Sequence, residues 1–254
     1  MFIEIYNAIL FQPLLNLMIW FYNLVGDLGI AIIIVTVIVR LLLFPLSIKA
    51  TKSQKALQEL QPQMSKIRKE HKDNKEDQTK ALMEFYKENK INPMSSCLPM
   101  LVQLPIIFAM YRVFRVGINE ESLDKLYTFV SRPEIFDHFF INLVDMSKPN
   151  IILAVMAGAF QFFQSRMMMP KNQPKKKPGE GVMSDMSSMM TKQMTYFLPV
   201  MTVFIAMSLP SGLALYWATT TLFALGQQYL ILKKWKPGKA IVKGTKSKSV
   251  VKAK

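Results

Sequence analysis

Few side chains in this sequence could do covalent chemistry, and their spacing argues against it. The two histidines, His71 and His138, lie in separate polar segments, and none falls in an apolar block. A serine nucleophile such as Ser211 would need a base within hydrogen-bond reach. Lys192 and Lys233 fall at the far ends of their apolar blocks from Ser211. There is no histidine pair at metalloprotease spacing, no glycine-rich phosphate loop, and a single cysteine, Cys97. No catalytic residue, metal ligand or cofactor site is therefore assigned. What remains is electrostatic. In the run Ile30–Ser47, IAIIIVTVIVRLLLFPLS, one arginine stands alone. The run contains no acid, and the nearest one upstream is Asp27.

A cation at bilayer depth costs about 2.5–3.5 kcal/mol on insertion scales, so Arg40 is a functional candidate. One reading is that it snorkels to the headgroups. Ser47 and Lys49 lie seven and nine residues further on, roughly 10–13 Å of helix. That depth favours a buried polar role. Thr36, Arg40 and Ser47 fall at i, i+4 and i+11, on one helical face. Other apolar blocks carry Gln103, Gln161, Gln164 and the run Thr219–Thr221. Each could be interhelical glue. None is acidic, and an unpaired buried charge persists only where water or an incoming anion reaches it. The set implies a water-containing, positively focused cavity.

The elements that must hold these residues follow from composition. The chain has 254 residues, 51% of them hydrophobic, and the apolar residues come in blocks. The class is an all-α polytopic membrane protein. Residues 1–25 predict an amphipathic helix in the outer interface, broken at Pro13. A full span is the alternative and would need a hairpin turn at Gly26–Gly29. Five spans are expected at 26–48, 93–116, 150–169, 192–209 and 210–232. Pro45 should kink or tighten the end of the first, and Pro93, Pro99 and Pro105 should bend the second. Residues 49–92 predict a charged helical hairpin. Its turn is HKDNK at 71–75, its apolar stripes are Leu57, Leu60, Met64, Ile67 and Leu82, Phe85, Tyr86, and Pro62 should kink or split its first arm. The connections 117–149 and 170–191 and the tail 233–254 complete the chain.

Charge sets the orientation. Segments 49–92, 169–193 and 233–254 hold eleven, five and nine Lys or Arg. Residues 1–39 hold none, and loop 117–149 holds three against six acids. The positive-inside rule places the N-terminus outside and the C-terminus inside, which needs an odd number of spans. The first 25 residues lack the basic start of a cleavable signal. Ten of the 19 methionines fall between Met167 and Met207, which suggests an adaptable apolar binding face as well as simple filler. The lysine tail suits anionic lipid or RNA phosphates. With no aromatic beyond Trp235 it carries no sequence-specific nucleic-acid reading.

These features together resemble the YidC/Oxa/Alb membrane-protein insertases. The matching segments are GDLGIAIIIVTVIVRLLLFPLSIKATKSQKAL, the charged hairpin, NPMSSCLPMLVQLPIIFAMY, FQFFQSRMM, LPSGLALYW and GQQYLI, in that order. The resemblance covers nearly the whole chain. It implies five spans around a hydrophilic groove open to the cytoplasm and lipid. Arg40 would be the groove arginine, Thr36 the threonine one turn away, and Gln103 and Leu104 the substrate-contacting pair. Gln164, with Gln161, would line the groove, and Trp217, next to Tyr216, would meet substrate. The resemblance implies insertion and folding of nascent membrane proteins in the cell membrane. Ribosome, targeting receptor and Sec translocon would be met through 49–92 and 233–254. Three features depart from the family pattern: Ser96 replaces the usual glycine before Cys97, no large extracytoplasmic domain precedes the core, and no lipobox cysteine is present. An anion channel using Arg40 as its selectivity charge is the competing reading.

Overall fold

A computed structural model describes residues 2–89, 91–92, 94, 98–116, 124–133, 136–169 and 193–235. The first helix is continuous from Phe2 to Val25. It comprises α1 (Phe2–Tyr6), a wider π turn (Asn7–Phe11) and α2 (Gln12–Val25). The expected break at Pro13 does not occur. Proline has no N–H to give and crowds the carbonyl four residues back. The π turn absorbs both, with the Gln12 N–H reaching Asn7 O. The same device precedes Pro199, where a π turn (Gln193–Phe197) leads into α8 (Leu198–Met207).

Pro45 acts differently. α3 (Leu28–Leu42) stops at Leu43, and α4 (Phe44–Glu70) departs at 66°. Ser47 therefore lies beyond a bend and does not share a straight face with Thr36 and Arg40. α4 then runs through Pro62 without splitting. It packs on α5 (Lys75–Glu88) across the turn His71–Asn74, where Asn74 Oδ1 accepts from the Glu76 and Asp77 N–H groups. Leu60 and Met64 are buried between the arms, and the Tyr86 hydroxyl meets Met64 Sδ at 3.9 Å.

The remaining helices are α6 (Leu98–Val116), α7 (Ile151–Met167) and α9 (Ser211–Lys233). α6 continues through Pro105. Pro93 and Cys97 lie outside the described residues, as do the connection 170–192 and the tail from 236. α9 packs against α3 and α7, α8 lies on α7, and α2 lies against α3. Gly158 makes the α7–α8 crossing possible, since a Cβ there would run into Val203 and the Pro199 carbonyl. The core joins Leu15, Met18 and Ile19 to Ile32, Val35, Met110 and Leu213.

By length and apolar composition, one described helix, Ile3–Val25, is long enough to cross a membrane. α3 with α4 makes a second, bent candidate. Leu98–Phe114, Ile151–Met167 and Thr195–Met207 are shorter apolar helices.

Four polar residues of the first helix bond to the segment 125–137. Asn16 Oδ1 accepts from Tyr127 N, and Asn23 Nδ2 donates to Ser131 O. Gln12 Nε2 donates to Lys125 O, and the Tyr22 hydroxyl accepts from Asp137 N. Ile3, Ile9 and Leu24 are exposed on this helix, as are Glu4 and Asn23. The turn at Gly26 and Asp27 exists. Gly26 takes a left-handed φ of 75° to end α2, and Asp27 Oδ1 caps α3 through Ile30 N.

Candidate functional site

The site is built from three helices that the sequence separates widely. α3 is nearly all Ile, Val and Leu, so only Thr36 and Arg40 interrupt its apolar surface. They sit one turn apart and face the same way. Thr36 is buried, and its hydroxyl donates to Ile32 O in its own helix at 2.6 Å. Its hydrogen is thus used locally. Arg40 is half-buried.

The Arg40 guanidinium donates from Nη2 to Gln103 Oε1 at 2.7 Å. Gln103 is presented by α6, two residues before Pro105. Its Nε2 donates to the Tyr216 hydroxyl of α9, also at 2.7 Å. The amide thus reads a cation on one side and a phenol oxygen on the other, which fixes its orientation. Tyr216 is buried. The chain Arg40–Gln103–Tyr216 spans α3, α6 and α9 and contains no carboxylate. Among the described residues no ion pair reaches Arg40. A guanidinium has five donors in a fixed fork, so one neutral amide leaves most of its capacity for water or an incoming acceptor.

Trp217 stands beside this chain. Its Nε1 donates to Gln161 Oε1 of α7 at 3.3 Å, so the indole and the amide hold each other across the α7–α9 interface. Gln164, one turn beyond Gln161, is half-buried on the same helix. Leu104 is exposed beside Gln103. The geometry thus joins the expected residues in two groups: Arg40, Gln103 and Tyr216 in one, Trp217 and Gln161 in the other. Thr36 bonds its own helix.

Sequence reading did not single out Gln227. This buried residue of α9 donates from Nε2 to Ser47 Oγ at 2.6 Å, pinning the start of α4 to the last helix. Nor did it give Glu59 and Trp235 a role together. Trp235 Nε1 donates to Glu59 Oε1 at 2.7 Å, joining the first hairpin arm to the end of α9. Their separation of 176 residues leaves no local pattern to read.

A second arginine marks the contrast. Arg112 of α6 donates to Asn7 Oδ1 and lies over the Phe11 ring, 4.6 Å from its centroid. It is occupied by the first helix on two sides. No cluster of three or more metal-ligating side chains occurs among the described residues.

Residues 136–150 close the other end of the bundle. A two-stranded antiparallel hairpin, β1 (Phe139–Phe140) and β2 (Val144–Asp145), pairs Phe139 with Asp145 and Phe140 with Val144. Phe140 packs on Gly29, where a Cβ would clash with the ring. Ser211 Oγ donates to Asp145 O at 2.6 Å, Gly212 N to Met146 O at 3.0 Å and Ser211 N to Lys148 O at 2.9 Å.

Comparison with known proteins identifies relatives of the whole fold. The family model described as 60Kd inner membrane protein matches residues 20–239. A protein of Fusobacterium nucleatum subsp. nucleatum named membrane protein insertase YidC is 37% identical over 210 residues, 83% of this chain and 88% of that protein. One of Pelobacter propionicus with the same name is 36% identical over 230 residues, covering 89% of this chain and 39% of the relative. The crystal structure of an active YidC insertase with its first transmembrane domain resolved superposes with a TM-score of 0.57 at 27% identity. The match covers 91% of this chain and 47% of that one. The present chain therefore spans most of one relative and less than half of the others. On these matches the chain belongs to the 60Kd inner membrane protein family of YidC insertases and is a multi-pass protein of the cell inner membrane.

Proposed function

We propose that this protein inserts newly made membrane proteins and helps them fold. It receives the polar part of a translocating segment at Arg40 and releases apolar helices to lipid. The observation that carries the reading is the Arg40–Gln103–Tyr216 chain, a cation held by a neutral amide with donors to spare. A carboxylate on a passing segment finds in Arg40 a bidentate partner that no carboxylate among the described residues occupies. Gln103 and Tyr216 position the guanidinium, while Gln161 and Trp217 present an amphipathic edge beside it. Apolar substrate surface then partitions into lipid at about 25 cal/mol per Å². No nucleotide is needed for that step.

The proposed arrangement has α3, α6, α7, the Gln193–Met207 segment and α9 as five spans. The N-terminus lies outside, and the hairpin of α4 and α5 lies in the cytoplasm. Several of these helices are short. Residues 193–207 make roughly 22 Å of helix at about 1.5 Å per residue, against a hydrocarbon core of about 30 Å. Such mismatch thins the bilayer locally, which shortens the apolar path for a polar segment. The first helix belongs with the outer end, because its polar residues bond to loop 124–137 and to Arg112 in the outer half of α6. Ribosome, targeting receptor or Sec translocon would meet the hairpin and the basic tail. An anion channel would need a continuous path, and the bonds of residues 136–150 across the outer ends of α3 and α9 weigh against one.

The test uses a depletion strain and a single-span substrate with an acidic outer tail. Arg40→Ala should lower insertion at least tenfold, and Arg40→Lys should keep much of it. Normal insertion with Arg40→Ala would falsify the role given to the charge.

A further inference from the structure

The hairpin β1–β2 carries an anomaly that the site does not use. Its turn closes with Leu143 N donating to Phe140 O at 3.0 Å, and both central residues have positive φ, 51° at Ile141 and 55° at Asn142. That is the geometry of a tight primed turn, which in water is normally built from Asn and Gly. A β-branched residue there is an outlier. Local backbone preference does not explain isoleucine at this position. Nor does burial, because Ile141 is 58% exposed and the next apolar residue, Leu143, 81%. Phe139 is exposed on the same hairpin, while Phe140 turns inward onto Gly29.

The position of the turn is fixed by bonds to two helices. Ile141 N donates to Asp27 Oδ2 at 2.6 Å, and the other oxygen of Asp27 caps α3. Beyond the turn, Asp145 O accepts from Ser211 at the start of α9. The tip thus stands level with the first residues of α3 and α9. In a multi-pass membrane protein, span ends sit where hydrocarbon meets headgroups. Directly before Asp27, Leu24 and Val25 of the first helix are exposed too, so the tip extends an apolar surface already present there. The polar face of the same hairpin holds the Asp145–Lys148 ion pair at 2.9 Å.

We infer that Ile141 and Leu143 insert into the membrane leaflet at the α3–α9 N-terminal end, so that the β1–β2 hairpin is a lipid anchor for the cap over the bundle. The occupant is the acyl-chain and glycerol region of the lipid. Apolar solvent around the tip removes the hydration cost of two exposed aliphatic side chains. It also gives the strained isoleucine a role that Asn or Gly could not fill. The inference rests on reading α3 and α9 as spans whose first residues face outward.

The test places single cysteines in the full chain with the native Cys97 replaced by serine. Leu143→Cys is the probe, and Asp124→Cys, on an exposed part of the same loop, is the aqueous reference. Each carries an environment-sensitive fluorophore, and the protein is reconstituted in phosphatidylethanolamine–phosphatidylglycerol vesicles. Lipids spin-labelled at acyl carbon 5 should quench the Leu143 probe at least twofold more than the Asp124 probe. Iodide should quench it at least threefold less. Iodide quenching equal at both sites would place the tip in water and overturn the inference. Protection of the Leu143 probe from both quenchers would mean that protein covers it, and would overturn it equally. A membrane-impermeant maleimide added to intact cells should label Asp124→Cys, which reports orientation separately. The depth measurement needs no insertion activity, so failure of the Arg40 test and failure of the anchor read out independently.

Discussion

At the Asp27–Ser211 end of the bundle, Lys125, Tyr127, Ser131 and Asp137 bond to the first helix, Ile141 to Asp27 at the start of α3, and Asp145, Met146 and Lys148 to the start of α9. At the hairpin end, among the described residues, Gln227–Ser47 and Trp235–Glu59 are the side-chain bonds that hold α4 to α9. The two arginines repeat the contrast. Arg112 is filled by Asn7 and Phe11, whereas Arg40 has one neutral amide and faces a half-exposed surface. A buried polar group left without a partner costs about 1–3 kcal/mol, so the tied end is rigid because opening it would orphan many groups together. The hairpin end has few such groups to orphan.

After Arg40 itself, breaking the chain from Arg40 to Tyr216 should have the largest effect. Gln103→Leu takes away the amide between Arg40 and Tyr216 and leaves both without that partner. Insertion should fall five- to tenfold with the folded protein still recovered from detergent. Insertion unchanged by this substitution would show that Arg40 acts without its positioning amide.

Next comes the tied end. Asn16 is buried and accepts from Tyr127 N while donating to Gln12 O and Lys125 O. Asn16→Leu should destabilise the fold by about 2 kcal/mol, seen as a lower melting temperature in detergent, while insertion at permissive temperature stays near normal. Loss of insertion without loss of stability would mean that this end takes part in substrate handling.

The hairpin end should respond less in stability. Trp235→Phe removes the indole donor to Glu59 and should cost about 1 kcal/mol or less. Its signature is faster amide exchange in 56–64 with unchanged exchange in 139–146. Exchange rising equally in both segments would erase the proposed independence of the two ends.

The smallest effect is a pH dependence. Asp145 is pushed down to about 2, first by the hydrogen bond from the Ser147 side chain, with Lys148 also lowering it and partial burial opposing. A carboxyl depressed on folding contributes stability that is full above its unfolded value near 3.8 and is lost as pH falls toward 2. Protection of residues 139–150 from proteolysis should therefore weaken between about pH 4 and 2. Asp145→Asn should flatten that profile, and a profile unchanged by Asn would assign the loss to other carboxylates.

Much of the helical plan was legible in the residues. HKDNK marked the hairpin turn because Asn74 caps a helix by local bonds. Prolines were legible as positions but not as outcomes. Pro13 and Pro199 are preceded by π turns, Pro45 by a 66° bend, and Pro62 by nothing that stops the helix. Neighbouring packing decides which response is cheapest, and that packing comes from distant segments. The polar residues of the first helix were legible as a stripe, but their partners were not. Asn7, Asn16 and Asn23 look amphipathic in one dimension, yet their partners lie about a hundred residues away.

The sequence by itself determined that this chain is a helical membrane protein with a lone cation in an acid-free run, because apolar blocks and missing charges are properties of the string. It also marked Arg40, Gln103, Gln161 and Gln164 as polar residues in apolar surroundings. Only the tertiary structure decided which of them meet. It joined Arg40 to Tyr216 through Gln103 and gave Arg112 to the first helix. It also turned a loop with an ordinary composition into a cap whose isoleucine stands at positive φ. Hydrogen bonds between residues far apart in the chain depend on which helices pack together, and helix packing is settled by the whole core.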